Sequence, residues 1–230
     1  FGEDAVRASK ILGITLTKRG AGSSTETALA GFPHHSLNTY LPKLVKAGLR
    51  VAICDQLEDP KMTKTIVKRG VTELITPGVS MNDEVLQSKS NNFLASIYFG
   101  KKNIGISFLD VSTGEFLTAQ GTEDYIDKLL QNFNPSEVLI PKNNKNDFKE
   151  TFGEEYHNFY LEDWVYKEDY AFETLTNHFQ TVSLKGFGIE ELPEGIIASG
   201  AILFYLSETQ HNKLQHITSI QRIAEDAYVW

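Results

Sequence analysis

Apolar positions in residues 3–12 recur at Ala5, Ala8, Ile11 and Leu12 as one stripe at helical spacing, with Glu3 and Asp4 at the end where a helix is positive. A helix is predicted there. Gly13 stops it, and Ile14-Thr15-Leu16-Thr17 alternates as a half-buried strand. The small polar run Gly20-Ala21-Gly22-Ser23-Ser24-Thr25 reads as a surface loop. Ser36 is placed to cap a second helix running to about Ala47, with Leu37, Tyr40, Leu41, Leu44 and Val45 facing inward. Pro42 fits that helix only if it starts near Thr39, so that the proline falls in the first turn. Gly48 ends the helix, Arg50–Gln56 reads as a strand, and a pair at Ile66–Lys68 and Thr72–Thr76 closes a small α/β module at Pro77-Gly78.

Val79–Asn91 has no apolar period and reads as a linker. Beyond it, Phe93–Phe99, Ile104–Val111 and Glu115–Ala119 are joined by short turns, the pattern of an antiparallel meander. Helices at Thr122–Phe133, Asp147–Phe152, Glu168–Phe179 and Gly195–Gln210 then alternate with strands at Glu137–Ile140 and Tyr156–Tyr160. Three antiparallel strands followed by alternating helices and strands is the layout of a ribonuclease-H-like α/β domain. Ile217–Trp230 reads as the start of a connection onward. The expected fold class is thus α/β: a small mixed-sheet module, then a ribonuclease-H-like domain.

Charge sharpens the division. Residues 1–80 carry 11 Lys and Arg against 7 Asp and Glu, whereas the whole chain has a net charge of −8. Only the first part suits a polyanion. With 41% hydrophobic residues in 230, the chain can bury a real core, and no apolar run approaches the ~20 residues that span a bilayer. No signal peptide is evident, and a cytoplasmic location is expected. Cys54, the single cysteine, sits in an apolar run and is expected to be a buried, inert thiol. The chain opens at Phe1 with no methionine before Met62, so we expect a piece of a longer protein.

Lys18 and Arg19 leave a strand beside a glycine-containing loop, with His34 and His35 returning nearby. Cationic side chains and close backbone amides suit phosphate contact; a solvated strand end is the plainer alternative. His34-His35 has no third ligand at metal-binding spacing. Asp110 stands where a ribonuclease-H-like nuclease carries a metal-binding acid, but Asp110-Val111-Ser112-Thr113-Gly114 reads equally as a turn opened by Asp. There is no Gly-x-x-x-x-Gly-Lys-[Ser/Thr] loop, no dinucleotide fingerprint around Gly186-Phe187-Gly188, and no nucleophile triad pattern. The sequence shows no self-sufficient active site, so no enzyme is expected in this piece.

Joined in order and spacing, several segments carry a resemblance. Phe1-Gly2-Glu3-Asp4-Ala5, Leu16-Thr17-Lys18-Arg19-Gly20, Ala30-Gly31-Phe32-Pro33-His34-His35 and Tyr40-Leu41-Pro42-Lys43-Leu44-Val45 continue into Gly48–Asp59 and Thr76-Pro77-Gly78. In the second half stand Leu109–Phe116, Asn134-Pro135-Ser136-Glu137 and Gly186-Phe187-Gly188. The whole closely resembles the N-terminal region of the bacterial MutS family of DNA mismatch repair proteins. The resemblance implies a mismatch-recognition domain at 1–80, truncated at its N-terminus, a linker at 81–91, a ribonuclease-H-like connector domain without nuclease activity at 92–214, and at 215–230 the start of a connection to a core domain.

It also implies partners and residues. Mismatched double-stranded DNA would be met by Lys18, Arg19, Leu29 and His34, with Leu29 near the minor groove. A MutL-type protein would dock on the helix around Asp169, Glu173 and Thr174. In the full-length family protein two subunits clamp DNA, and a C-terminal ATPase uses ATP and magnesium; no cofactor is expected in this piece. The location implied is cytoplasmic, at the nucleoid. The family's Phe-x-Glu mismatch reader is expected just upstream of Phe1; Phe1-Gly2-Glu3 spells the same pattern out of register and is not assigned that role. Two alternatives remain: a metal-dependent ribonuclease-H-like nuclease, and a pure interaction module.

Overall fold

The computed structural model describes residues 1–20, 22–59, 62, 66–79, 91–209, 211 and 213–224. Its larger part is organised by a six-stranded sheet. Strands β5 (Phe93–Phe99), β6 (Ile104–Asp110) and β7 (Glu115–Gly121) form the expected antiparallel meander. β8 (Glu137–Pro141) then adds parallel to β5, and β9 (Asn158–Leu161) parallel to β8. At the opposite edge the short β10 (Gln221–Arg222) pairs parallel with β7, giving the order β10-β7-β6-β5-β8-β9.

Period-two alternation on β6 decides what covers each face. Ile104, Ile106 and Phe108 point to the side of α3 (Glu123–Phe133) and α4 (Lys145–Phe152), where Ile126, Leu129, Leu130 and Phe148 are buried with them. Gly105, Ser107 and Leu109 point to the other face, under α5 (Glu168–Phe179) and α6 (Pro193–Glu208). Small residues on that face let α6 lie close: a Cβ on Gly105 would come within 2.0 Å of the Glu194 carbonyl oxygen. Ser199 of α6 reaches Ser107 with its hydroxyl, Oγ to Oγ 3.0 Å. The helix is apolar nearly all round, as a helix enclosed by protein should be.

The N-terminal part is built from smaller pieces. Helix α1 (Gly2–Leu12) ends as predicted at Gly13, which takes up a left-handed conformation at φ 67°. It packs against α2 (Leu37–Lys46) and β2 (Thr27–Leu29), the latter paired antiparallel with β1 (Thr17–Arg19). A second ladder joins β3 (Val51–Gln56) to β4 (Arg69–Ile75), with α2 laid over it through Leu41, Val45 and Ile75.

Several expectations change. The first strand lies at Thr17–Arg19, not Ile14–Thr17, because only that stretch meets a partner. Ser36 makes no side-chain cap; a short 3₁₀ turn at His34–Ser36 leads straight into α2 at Leu37. Pro42 therefore lies inside the helix, and the carbonyl it leaves without a donor belongs to exposed Asn38. One strand, β4, replaces the expected pair at 66–68 and 72–76. Cys54 is exposed, not buried. The β3–β4 ladder is covered on one face only, Val51 and Ile53 take that face, and alternation turns Cys54 outward. Val79 is fully buried in the core under the six-stranded sheet, and Ile217, Ile220 and Ile223 are buried as well, so the segment read as an onward connection completes the large sheet. Residues 80–90 of the expected linker and 225–230 lie outside the described residues.

The two parts meet at Glu137, the first residue of β8, which is 3% exposed. Its Oε2 accepts the Thr76 hydroxyl at 2.6 Å and the Gly78 N–H at 3.1 Å, both from the end of the N-terminal part. Its Oε1 accepts the Tyr205 hydroxyl of α6 at 2.8 Å. Burial pushes the Glu137 carboxyl up, against the opposing pull of the Thr76, Tyr205 and Gly78 hydrogen bonds and the Arg50 charge. Burial likewise pushes the Tyr205 phenol up, so it stays a donor.

Candidate nucleic-acid and partner interface

The β1–β2 register fixes which side chains share a face. Thr17 lies opposite Leu29, Lys18 opposite Ala28 and Arg19 opposite Thr27. Directly opposed residues point the same way and neighbours along a strand point opposite ways. Arg19, Thr27, Thr17 and Leu29 therefore form one face of the hairpin, and Lys18 with Ala28 the other. Of the residues expected to meet DNA, the structure brings Arg19 and Leu29 together and turns Lys18 away from them.

Each has a defined setting. The Arg19 guanidinium stands 5.9 Å from the centroid of the Phe1 ring, a cation–π contact at the exposed start of α1. Lys18 is in an ion pair: its ammonium lies 2.5 Å from Glu26 Oε1 across the mouth of the hairpin, while Glu26 Oε2 accepts the Gly22 N–H at 3.1 Å. The Lys18 ammonium, and secondarily the Gly22 amide, hold the Glu26 carboxyl below its usual range. Leu29 is half-buried, and His34 and His35 are exposed in the 3₁₀ turn before α2. Sequence reasoning passed over Glu26, although an acid closing a glycine-containing loop after a basic strand was the available signal.

On the second part, Asp169 and Glu173 are exposed and four residues apart, on one face of α5. Thr174 is half-buried and its hydroxyl donates back to the Tyr170 carbonyl at 2.7 Å, so it does not belong to that exposed face. Beside Asp169 opens a pocket of about 450 Å³, lined by the apolar Phe172, Leu184, Pro193 and Ile196 and by the acids Glu168, Asp169 and Glu190. Elsewhere on this part Trp164, 47% exposed, meets Tyr170 and Phe204 edge-on. These aromatics were missed in the sequence; a tryptophan inside an acidic surface segment was the clue.

Asp110 is 1% exposed and fully engaged. Oδ1 accepts the Ser112 N–H at 2.9 Å, the Ser112 hydroxyl at 2.6 Å and the Thr113 N–H at 3.3 Å; Oδ2 accepts the Asn92 N–H at 3.2 Å. It opens the β6–β7 turn. Among the described residues no three His, Cys, Asp or Glu side chains are grouped to hold a metal ion, and no helix is long and apolar enough to cross a membrane.

Comparison with known proteins matches this architecture part by part. The family model for MutS domain I matches residues 1–84, and that for MutS domain II matches residues 92–218. The DNA mismatch repair protein MutS of Flavobacterium psychrophilum is 87% identical over the whole chain, which covers 27% of that protein. Those of Flavobacterium johnsoniae and Cytophaga hutchinsonii are 85% and 66% identical, again over the whole chain and about a quarter of their length (26% and 27%). The chain spans domains I and II at the N-terminal side of a longer architecture, and it belongs to the MutS family.

Proposed function

We propose that this chain is the DNA-facing and partner-docking part of a mismatch repair protein, and that it binds double-stranded DNA carrying mismatches through the β1–β2 hairpin. The observation that carries this reading is the shared face of Arg19 and Leu29: a cation for the phosphates beside an apolar side chain that can enter a shallow groove. Lys18 lies on the opposite face of the hairpin with its charge balanced by Glu26, and His34 is exposed in the turn before α2. Phe1 and Glu3 are not the base-reading pair in this account. The Phe1 ring packs under Arg19, and Glu3 belongs to the first turn of α1.

No catalytic residue is assigned to the chain. In the whole protein, recognition would be coupled to ATP binding and hydrolysis with magnesium in a part outside this chain, in a dimer that clamps DNA in the bacterial cytoplasm. The pocket beside Asp169 supports a docking role for α5 toward a MutL-type protein, since three carboxylates among apolar side chains suit a basic, partly apolar segment. The nuclease alternative needs free carboxylates converging on metal ions, whereas the Asp110 carboxylate accepts from its own turn and from Asn92, which argues for structure over catalysis.

The experiment is duplex binding by the 230-residue chain, compared with Arg19→Ala and Lys18→Ala. Arg19→Ala should weaken binding and flatten its salt dependence by about one unit of log K against log salt. Lys18→Ala should have the smaller effect, because its charge is already partnered. Equal binding by Arg19→Ala and the parent would remove the hairpin from the interface.

A further inference from the structure

We propose that Glu137 is a positioning residue: its buried carboxylate, gripped by Thr76 and Gly78 on one side and by Tyr205 on the other, sets the angle at which the DNA-facing part sits on the connector. The three donors come from both parts of the chain and converge on the two oxygens of one side chain. Within the connector only the Tyr205 hydroxyl uses this carboxylate, through Oε1; Oε2 is given over to Thr76 and Gly78. An apolar residue there would bury as readily, but it could not hold the Thr76–Gly78 segment.

Neighbouring contacts make this junction the defined one. Gly78 lies so close that a Cβ on it would stand 2.8 Å from the Glu137 Cβ and 2.9 Å from Leu94 Cδ1, so only glycine passes there without displacement. Thr76 and Val79 are joined by two backbone hydrogen bonds of 3.2 Å, and Asn92 donates to the Pro77 carbonyl at 3.1 Å. The segment is thus a rigid turn, and its orientation is transmitted directly to β4, which ends at Ile75. Further out, the Arg50 guanidinium lies 3.8 Å over the Phe159 ring and 5.6 Å from that of Tyr205. The Leu74 N–H donates to the Thr209 carbonyl at 3.3 Å. Arg50 is itself exposed, so its ring contacts are partly solvated, whereas Glu137 is buried. An unmade bond to a buried carboxylate is the costlier loss, so the inner group fixes the angle and the outer ones follow.

A plain stabilising role for the connector core would leave inter-domain geometry unchanged, and the two can be separated. Cys54, exposed on β3, and a Lys128→Cys substitution at an exposed position of α3 accept one spin label each. Pulsed dipolar distances are then recorded for the chain with and without Thr76→Val, a substitution outside the connector that removes one donor. The parent should give one narrow distance distribution. Thr76→Val should shift the docked-to-released ratio by about tenfold or more toward a broad second population, since it forfeits a hydrogen bond to a charged acceptor. The connector's thermal transition should not move. Glu137→Gln alone, with Thr76 intact, should keep near-parent distances, because its Oε1 can accept from Thr76 and Gly78 while Nε2 donates to the Tyr205 hydroxyl. A distribution that stays narrow in Thr76→Val, or that broadens only when the connector transition is lost, would overturn the proposal.

Discussion

The Lys18 ammonium and the Glu26 carboxylate sit 2.5 Å apart across the hairpin mouth, so the most prominent basic motif of the chain is half neutralised where it stands. Both groups are exposed, and the pair's value is control of charge, not stability. Glu26→Gln should therefore leave thermal stability nearly unchanged and strengthen duplex binding at low salt. The log K against log salt slope should steepen by up to about one unit as Lys18 becomes free for phosphate. Fluorescence anisotropy across a salt series checks this; an unchanged slope would place Lys18 away from the DNA.

Asp110 closes its turn with four accepted hydrogen bonds while buried. Asp110→Ala should lower stability by about 2–4 kcal/mol, because several buried donors lose their acceptor at once. Thermal unfolding reads the loss directly. A variant as stable as the parent would mean that the turn does not depend on this carboxylate.

The close packing of α6 on β6 gives a harsher test. A methyl group on Gly105 would meet backbone atoms, the Glu194 carbonyl oxygen at 2.0 Å and the Gly195 nitrogen at 2.7 Å. No side-chain rotation relieves such a contact. Gly105→Ala should cost about 3 kcal/mol or more, or fail to fold, whereas Gly186→Ala, with nothing within 4 Å, should be tolerated. Urea midpoints of the two variants decide it.

Glu137 also carries a pH signature. Burial raises its carboxyl above the usual 4.5. A raised folded value means that the folded chain holds the proton more tightly than the unfolded chain. Stability from this group is therefore fullest below 4.5 and falls as the pH climbs through the folded value. His211 acts with the opposite sign. Its imidazole is pushed down by burial, with Glu73 opposing, so its contribution is present above the usual 6.5 and is lost on acidification. Comparing the parent with Glu137→Gln cancels the histidine. The parent-minus-variant stability should decline with rising pH from 4.5 upward and then level off. Parallel curves would show that Glu137 does not titrate in that range.

What the sequence made legible follows from where local pattern and tertiary context agree. β5 to β9 and α3 to α6 could be read because Ile104, Ile106 and Phe108 alternate with small residues, and because helices such as α5 repeat at their own period. β10 could not: Gln221 and Arg222 have no strand pattern of their own and gain one only by lying beside Leu117 and Thr118. Cys54 was misplaced because Val51–Cys54 is uniformly apolar, and only the one-sided cover of the β3–β4 ladder distinguishes its faces. The site was half legible. The motif order brought Lys18, Arg19, Leu29 and His34 into one candidate set, but which of the adjacent Lys18 and Arg19 shares a face with Leu29 depends on a hairpin register that the loop between the two strands does not encode. Glu137 drew attention as part of a motif; its role as a junction needed Thr76 and Tyr205, 61 and 68 residues away in sequence, to be brought to it.

This chain is expected to meet DNA through the hairpin's Arg19–Leu29 face, with Phe1 and Glu3 outside the base-reading role. Equilibrium binding to a G·T heteroduplex and to the matched homoduplex, at about 50 and 200 mM salt, tests both halves together. Weak and nearly equal binding to both duplexes, falling steeply with salt, is expected. Affinity indifferent to salt, or a strong preference for the G·T duplex, would contradict it.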